Sequence, residues 1–282
     1  MLFSKKPTPS ILEEPYQFKE KHCSPPLEPS AISGLYNFRD VGGYRVPGNQ
    51  AVRSGLVFRS ANLDRLSPSD FRLLGDRVGI SCVFDLRSAE ESSTDDSWTS
   101  SREEITIHHV IAMNWEKSRD PVQAHMSLLS NDLVEAFMVI YRHLAAESAP
   151  AYAKILAHLR DHPECPIVVH CDLGKDRTGI FIAMLLKCLG VGNEDIVEDY
   201  SRTEGQIEAL VAPKTEKYYR MTMLEMPAEG IDGHFRASRE VMYAFLGYID
   251  EEYGGGEGYV RFLGFNSGDI ARLREGLLVP VD

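Results

Sequence analysis

Residues 168–179 read VVHCDLGKDRTG and decide the fold prediction. The apolar residues at 166–170 predict a short buried strand, and apolar residues at helical spacing predict a helix over 178–189 that ends near Gly190. A loop of this length between a strand and a helix points successive backbone N–H groups inward. Together with the positive end of the helix dipole, these groups form a concave anion site. The stretch therefore predicts an anion-binding loop at the carboxyl end of a parallel strand.

The loop begins with a cysteine and is followed by an arginine, Cys171 and Arg177, with five residues between them. Arg177 can direct two N–H donors at two oxygens of one anion, and Gly174 lets the backbone turn sharply and approach a ligand. The inward N–H groups also stabilise a thiolate at Cys171, beneath a bound phosphorus. This predicts a phosphocysteine intermediate that water hydrolyses, with Arg177 and the loop amides stabilising the equatorial oxygens during transfer.

The rest of the chain predicts an α/β fold with a mainly parallel central sheet flanked by helices, followed by a helical carboxyl-terminal part. Further strands are predicted at 52–59, 79–85 and 105–111. A helix is expected to begin at Ser67 and Pro68, because serine is a favourable N-cap and proline fits the first turn. Apolar residues follow helical spacing over 121–162, where Pro150 is expected to divide two helices.

The composition is that of an ordinary globular protein, with 282 residues of which 43% are hydrophobic and 26% charged. The net charge of −12 argues against nucleic-acid binding, because an acidic surface repels phosphate backbones. No apolar run approaches the roughly 20 residues of a membrane-spanning helix, and the amino terminus lacks a secretory signal. The five cysteines form no Cys-x-x-Cys pair, which favours a reduced protein. We therefore expect a cytoplasmic or nuclear location without stable membrane insertion.

Four motifs carry a resemblance to a known family. Residues 170–179 resemble the Cys-x5-Arg signature of protein tyrosine and dual-specificity phosphatases, and residues 36–44 (YNFRDVGGY) resemble a motif of the atypical tyrosine/serine phosphatases. Residues 57–61 (VFRSA) and 84–88 (FDLRS) are similar to segments of that group, which is typified by mycobacterial protein tyrosine phosphatase B. The resemblance covers residues 31–282. It implies a tyrosine-phosphatase-like fold, no metal or other cofactor, and a phosphorylated protein as substrate, with a phosphoinositide or inositol phosphate as the alternative.

The domain organisation follows from the same reading. Residues 1–30 contain six of the fifteen prolines without helical or strand periodicity, and predict a proline-rich tail. Residues 31–282 are expected to form a single phosphatase domain. Within it, the methionine- and tyrosine-containing segment 205–235 is expected to form a lid over the pocket, as the family resemblance implies, with a membrane-touching face or ordinary core packing as the alternatives.

The leaving oxygen needs a proton, and Asp176 in the loop is the candidate general acid. The atypical family uses an aspartate at this place, and the alternative is an aspartate that only caps the following helix. Asp132 in an upstream helix and Asp85 at the end of a predicted strand are competing candidates. Asp85 is expected at the same sheet edge as Cys171, where its first role is to orient the loop.

Other residues of the motif are assigned supporting or binding roles. His170 is expected to hold the loop through backbone hydrogen bonds and to favour the thiolate. Thr178 is expected to donate its hydroxyl to the Cys171 sulfur during thiolate release, unless it only caps the helix. Lys175 is expected to contact phosphate groups beyond the scissile one, unless it is solvated. The phosphate-binding loop consists of Asp172, Leu173, Gly174 and Lys175.

Other functional classes remain open at this point. An inactive relative would bind phosphorylated partners without hydrolysis, although Cys171, Asp176 and Arg177 are all present. A sulfur-transfer or arsenate-reducing enzyme also uses a cysteine in an anion-binding loop, and arsenate reduction needs a resolving thiol. A further hypothesis is a protective disulfide between Cys171 and either Cys82 or Cys165, with plain packing of these thiols as its alternative.

Overall fold

The computed structural model describes residues 32–89, 91–92, 105–113, 118–211 and 233–281 of the chain. The predicted tail, residues 1–30, lies outside the described residues, as does most of the predicted lid segment 205–235. The described part is an α/β structure with a five-stranded central sheet and a helical carboxyl-terminal region, which confirms the predicted fold class.

Two sheets contain the strands of the described chain. The strands are β1 (Arg39–Asp40), β2 (Arg45–Val46), β3 (Gln50–Val52), β4 (Val57–Ser60), β5 (Cys82–Asp85), β6 (Thr106–His109), β7 (Ile167–His170) and β8 (Leu278–Pro280). The central sheet has the order β1-β4-β7-β5-β6, in which only β1 runs antiparallel to its neighbour. The register places Ser60 and Asp85 on either side of His170. The carboxyl ends of three parallel strands therefore meet at the edge where the loop after β7 begins.

Helices pack against the sheet and against each other. They are α1 (Pro68–Leu73), α2 (Arg119–Leu128), α3 (Leu133–Glu147), α4 (Ala149–Asp161), α5 (Asp176–Leu189), α6 (Asn193–Ser201), α7 (Arg239–Tyr253), α8 (Gly256–Phe262) and α9 (Ser267–Leu277). Helix α5 is buried at every position except Asp176 and Lys187, and it ends at Gly190 with a φ angle of 94°. Among the described helices, none has both the length and the apolar character needed to cross a membrane.

Alternate residues of the central strands face two separate cores, because successive side chains of a strand point to opposite faces. The larger core receives Val57, Phe84 and Val169 and is completed mainly by α3, α4, α5 and α7. The smaller core receives Phe58, Val83 and Val168 and is completed around α1. Both faces of β4, β5 and β7 are thus covered, and every residue of these three strands is buried.

Two local predictions need correction. The segment 52–59 is not one strand, because the chain turns at Gly55, with a φ angle of 79°, and leaves β3 and β4 in different sheets. The segment 121–162 holds three helices rather than two. The last break falls at Ser148, and Pro150 lies within the first turn of α4, where its missing N–H costs nothing.

Candidate active site

The loop at residues 171–175 connects β7 to α5, and its course depends on Gly174. This glycine has a φ angle of 66°, in the left-handed region that other residues rarely adopt. A Cβ atom on it would lie 2.2 Å from the carbonyl oxygen of Ser60 in β4. Glycine is therefore required here for its backbone angle and for space, in agreement with the sharp turn expected from the sequence.

Two asparagines fix the loop through its carbonyl oxygens. The Nδ2 of Asn37 donates to the carbonyl of Leu173 at 2.9 Å, and the Nδ2 of Asn62 donates to the carbonyl of Asp172 at 2.9 Å. In a trans peptide unit the N–H points opposite to the C=O. Hydrogen bonds from the two asparagines therefore orient these carbonyls so that the following N–H groups point toward the inside of the loop. An anion bound there can accept from them.

A buried ion cluster lies behind the loop. Arg59 donates to the carbonyl of Gly174 at 2.6 Å and to Oδ2 of Asp199 at 2.5 Å, and the Nε of Arg39 donates to Oδ1 of Asp199 at 2.8 Å. Burial opposes ionisation of Asp199, but the two guanidinium groups hold the pKa of its carboxyl below the usual value. Asp199 of α6 is thereby connected to the loop through Arg59.

We expect Asp199→Asn to lower the free energy of unfolding by about 3–5 kcal/mol, because it leaves two buried guanidinium groups without a counter-charge. Urea unfolding followed by circular dichroism measures this change. Glu198→Gln is the matched control on the same helix: its side chain is 48% exposed, so its ion pairs contribute at most about 1 kcal/mol. An equal, small effect of both substitutions would show that the cluster is not stabilising.

The predicted nucleophile and the arginine are both buried at the loop, with Cys171 2% and Arg177 6% exposed. The Nη1 and Nη2 of Arg177 each donate to one carboxylate oxygen of Glu91, both at 2.7 Å. The hydroxyl of Tyr152 donates to the carbonyl of Arg177 at 2.8 Å. A guanidinium has five N–H donors, of which the bidentate pair uses two. Glu91 therefore fixes the orientation of the guanidinium while other N–H groups can serve a phosphate.

We expect Glu91→Gln to reduce kcat/KM by about 10–100-fold, because a misplacement of about 1 Å in a catalytic group can cost about 100-fold. Steady-state kinetics with an aryl phosphate measure the change. Glu135→Gln is a control at a side chain that is 48% exposed. An increase in kcat/KM would contradict the positioning role and show that the Glu91 carboxylate competes with phosphate for Arg177.

Asp176, the candidate acid, is the first residue of α5, and its side chain is 28% exposed. Its Oδ1 accepts from the Tyr141 hydroxyl at 2.8 Å and lies 3.5 Å from the Nζ of Lys175. Burial opposes ionisation, but the positive charge of Lys175, the proximity of His234 and the Tyr141 hydrogen bond together hold the pKa of Asp176 below its usual value. A bound phosphate would act in the opposite direction, because a nearby negative charge raises the pKa of a carboxyl.

Lys175 is fully buried. Its Nζ donates to the carbonyl oxygens of His234 and Arg236, the second at 3.1 Å, and lies 4.5 Å from the centre of the Phe137 ring. This corrects both sequence expectations, a phosphate contact and a solvated side chain, because backbone carbonyls and an aromatic face already surround the ammonium. Its charge acts on Asp176 instead.

His170 and Thr178 flank the loop and are both fully buried. The Nδ1 of His170 donates to the carbonyl of Cys171 at 3.2 Å, and burial lowers the pKa of the imidazole. The imidazole therefore holds the backbone at the start of the loop, and its effect on the thiolate stays a prediction. The Thr178 hydroxyl has no hydrogen-bond partner within the described part of the chain, and its donation to the Cys171 sulfur during thiolate release stays a prediction.

The two competing acid candidates are engaged elsewhere. Asp132 is exposed and caps α3, where Oδ1 accepts from the backbone N–H of Glu135 at 3.0 Å. Asp85 is buried and accepts from the Nη2 of Arg87 at 2.9 Å, while the Nη1 of Arg87 donates to Asp64 at 2.7 Å. Asp85 thus lies at the predicted sheet edge and fixes the segment that follows β5, which carries Glu91.

The hypothesis of a disulfide between Cys171 and Cys82 or Cys165 is wrong. Cys82 begins β5 and Cys165 precedes β7, whereas Cys171 follows the last residue of β7. Four residues of strand span about 13 Å, well beyond the roughly 7 Å that a disulfide allows between Cα atoms. The sulfurs of Cys82 and Cys165 instead lie 3.7 Å from each other. The same separation removes them as resolving thiols for arsenate reduction.

Three residues near the loop were not found by sequence reasoning. Tyr141 and Asp199 each carried a usable signal, because both stand on predicted helices among apolar residues, where a buried polar group needs a partner. Glu91 carried no such signal, since it follows β5 in an irregular segment and reaches Arg177 only through the fold.

Comparison with known proteins places these features in a family. The tyrosine phosphatase family matches residues 30–279 of the chain. The triple specificity protein phosphatase PtpB of Mycobacterium tuberculosis is 28% identical, over 88% of this chain and 98% of that protein. A tyrosine-protein phosphatase of Nostoc commune is 26% identical, over 79% of this chain and 74% of that protein.

Solved structures also match. The core catalytic domain of the PP-IP phosphatase SIW14 of S. cerevisiae is 17% identical, with a TM-score of 0.39 over 61% of this chain and 78% of that chain. TpbA of P. aeruginosa is 18% identical, with a TM-score of 0.28 over 60% of this chain and 80% of that chain. The match over residues 30–279, which includes the whole strand–loop–helix unit, decides the assignment: the chain belongs to the tyrosine phosphatase family.

Proposed function

We propose that this chain hydrolyses phosphate monoesters through a covalent phosphocysteine at Cys171. The observation that carries the proposal is a buried cysteine at the start of a loop whose carbonyls accept from two asparagine side chains, followed by a buried arginine held in a bidentate pair. Membership of the tyrosine phosphatase family supports the same reaction class.

In the first step, the Cys171 thiolate attacks the phosphorus and an S–P bond forms as the P–O bond to the leaving group breaks. The leaving oxygen takes the proton of Asp176, which becomes a carboxylate. In the second step, the Asp176 carboxylate accepts a proton from a water molecule as that water attacks the phosphorus. The S–P bond breaks, inorganic phosphate leaves, and the Cys171 thiolate is regenerated.

Charge on the three equatorial oxygens is stabilised by groups that are already in place. The inward N–H groups of residues 171–175 and the amino end of α5 face the anion, and Arg177 adds a charged pair of donors. Glu91 orients the Arg177 donors, and Asn37 and Asn62 hold the loop carbonyls. Because these contacts exist before substrate binds, little reorganisation is needed during transfer.

For the substrate, we propose a phosphorylated protein, with phosphotyrosine first and dual specificity as its extension. Cys171 is 2% exposed, so the phosphate must reach a buried sulfur, which a long aryl stem does more easily than a short serine side chain. A phosphoinositide or inositol phosphate is the alternative that the family resemblance implies, and Lys175 gives it no added support, because its ammonium is bound to backbone carbonyls. A cytoplasmic or nuclear location stays a prediction.

The test is phosphate release without added metal from a phosphotyrosine peptide, a phosphoserine peptide and a set of phosphoinositides, measured side by side. Cys171→Ser is the blank, and Cys188→Ser, which replaces a buried thiol of α5, is the matched control. We expect release from the phosphotyrosine peptide that the blank loses and the control keeps. A preference for phosphoinositides would overturn the substrate class, and tight peptide binding without release would favour a binding module.

A further inference from the structure

A second cluster of reactive side chains lies at the amino ends of the central strands β5 and β7. Cys82 is the first residue of β5, Cys165 lies two residues before the start of β7, and His158 lies in the last turn of α4. The proposed hydrolysis uses none of them, because the length of the strands separates these amino ends from Cys171.

The three side chains already have spacings close to those of a metal centre. The sulfurs of Cys82 and Cys165 lie 3.7 Å apart, and one ligand atom from each of the three residues lies within 4.8 Å of the others. Two thiolates on one tetrahedral zinc ion, each at about 2.3 Å from the metal, are about 3.8 Å apart. The sulfur pair thus needs almost no movement, and the imidazole needs a shift of at most about 1 Å.

The imidazole of His158 supplies a second, independent observation. Its Nε2 is buried and has no hydrogen-bond partner among the residues that the structure describes. A buried polar atom without a partner costs roughly 1–3 kcal/mol. A metal ion bound by the two thiols would have a nitrogen of this imidazole within reach.

Further imidazoles surround the cluster. The ring of His162 lies 4.8 Å and the ring of His108 lies 5.9 Å from the ring of His158, measured between centroids. Cys82 is 4% and Cys165 2% exposed. Thiolate and imidazole ligands suit zinc and copper(I) rather than magnesium or calcium, so the surroundings match the donor set of a structural site.

We propose that Cys82, His158 and Cys165 bind a thiophilic metal ion at the amino ends of β5 and β7, the ends away from the catalytic loop. Zinc is the ion used to test this. Such an ion would link α4 to the amino ends of β5 and β7. Its role would be structural, since about 13 Å of strand separates Cys82 from the loop edge.

The experiment uses the full chain carrying Cys23→Ser and Cys171→Ser, because those two thiols could bind zinc themselves. The reduced protein is freed of metal with a chelator, titrated with zinc against a chromophoric competitor, and titrated with cobalt(II) for its thiolate charge-transfer absorption. We expect one zinc ion per chain, a cobalt spectrum with thiolate character, and a thermal midpoint that rises when zinc is added.

Single variants in this background locate the site. Loss of an outer-shell partner of a metal ligand typically costs about 10–100-fold in affinity, so Cys82→Ser and Cys165→Ser should weaken zinc binding by at least about 100-fold. His158→Gln leaves both thiols and should weaken binding while retaining thiolate absorption with cobalt. Cys188→Ser is the matched control and should bind as the background does.

Three outcomes would overturn the proposal. The first is no uptake of zinc by the background protein. The second is uptake that survives both Cys82→Ser and Cys165→Ser. The third is a Cys82–Cys165 disulfide, found by mass spectrometry of the unreduced peptides, in a chain that takes up no metal after reduction. If a serine variant fails to fold by circular dichroism, His158→Gln decides, because unchanged affinity there would remove the histidine from the site.

Discussion

Arg177→Lys should lower kcat/KM by about 10³–10⁵-fold, the range measured for removal of an arginine that stabilises a phosphoryl-transfer transition state. Lysine keeps the positive charge, but its ammonium is a point charge that cannot span two phosphate oxygens. It also loses the bidentate pair in which Nη1 and Nη2 meet the two oxygens of Glu91 at 2.7 Å. We therefore expect transition-state binding to fail although net charge is unchanged.

The measurement is steady-state kinetics with an aryl phosphate, and Arg202→Lys is the control at a side chain that is 51% exposed. The control should retain full activity. Near-native kcat/KM for Arg177→Lys would contradict the proposed geometry of the loop, since charge alone would then be sufficient.

Asp176→Asn should lower kcat by about 10²–10⁴-fold, the contribution of a general acid. The loss should be largest for alkyl phosphates and smallest for aryl phosphates with acidic leaving groups, which need less protonation. The reactive form carries a proton on Asp176, and Lys175 holds the pKa of that carboxyl below its usual value against the effect of burial. The rate should therefore fall as pH rises, and the variant should lose this alkaline decrease.

Asp132→Asn is the matched control, because Asp132 was the competing acid and asparagine is an equally good N-cap for α3. We expect it to leave kcat and its pH profile unchanged. If Asp132→Asn rather than Asp176→Asn removed the alkaline decrease, the acid assignment would be wrong.

The sequence was sufficient where structure depends on neighbours in the chain. The apolar strand before Cys171, the glycine at 174 and the apolar helix after Arg177 are consecutive, so their arrangement is set by local backbone preferences and by burial. The N-cap at Ser67 is equally local: its hydroxyl accepts from the N–H of Asp70 at 3.1 Å, as predicted. Alternation of apolar strands with helices was enough to predict the parallel sheet.

The sequence was insufficient where a residue meets a distant partner. Glu91 reaches Arg177 across 86 positions, and Arg59 reaches Asp199 across 140. Periodicity gives no information on such pairs, since it reports which face of an element is buried and not what it touches. The surroundings of Lys175 were missed for the same reason, because the carbonyls that bind it belong to a segment about 60 positions later.

Trapping the phosphoenzyme is the most direct test of catalysis through a covalent phosphocysteine. The chain is mixed with an aryl phosphate, quenched in acid within the first turnover and digested. The mass of the peptide that contains Cys171 is then measured by mass spectrometry. We expect one phosphoryl group on Cys171 and none in Cys171→Ser. The amount should increase in Asp176→Asn when an aryl phosphate with an acidic leaving group is used, because hydrolysis of the intermediate is then slowed. Turnover at a normal rate with an unmodified Cys171, or with the phosphoryl group on another residue, would contradict catalysis through a phosphocysteine at Cys171.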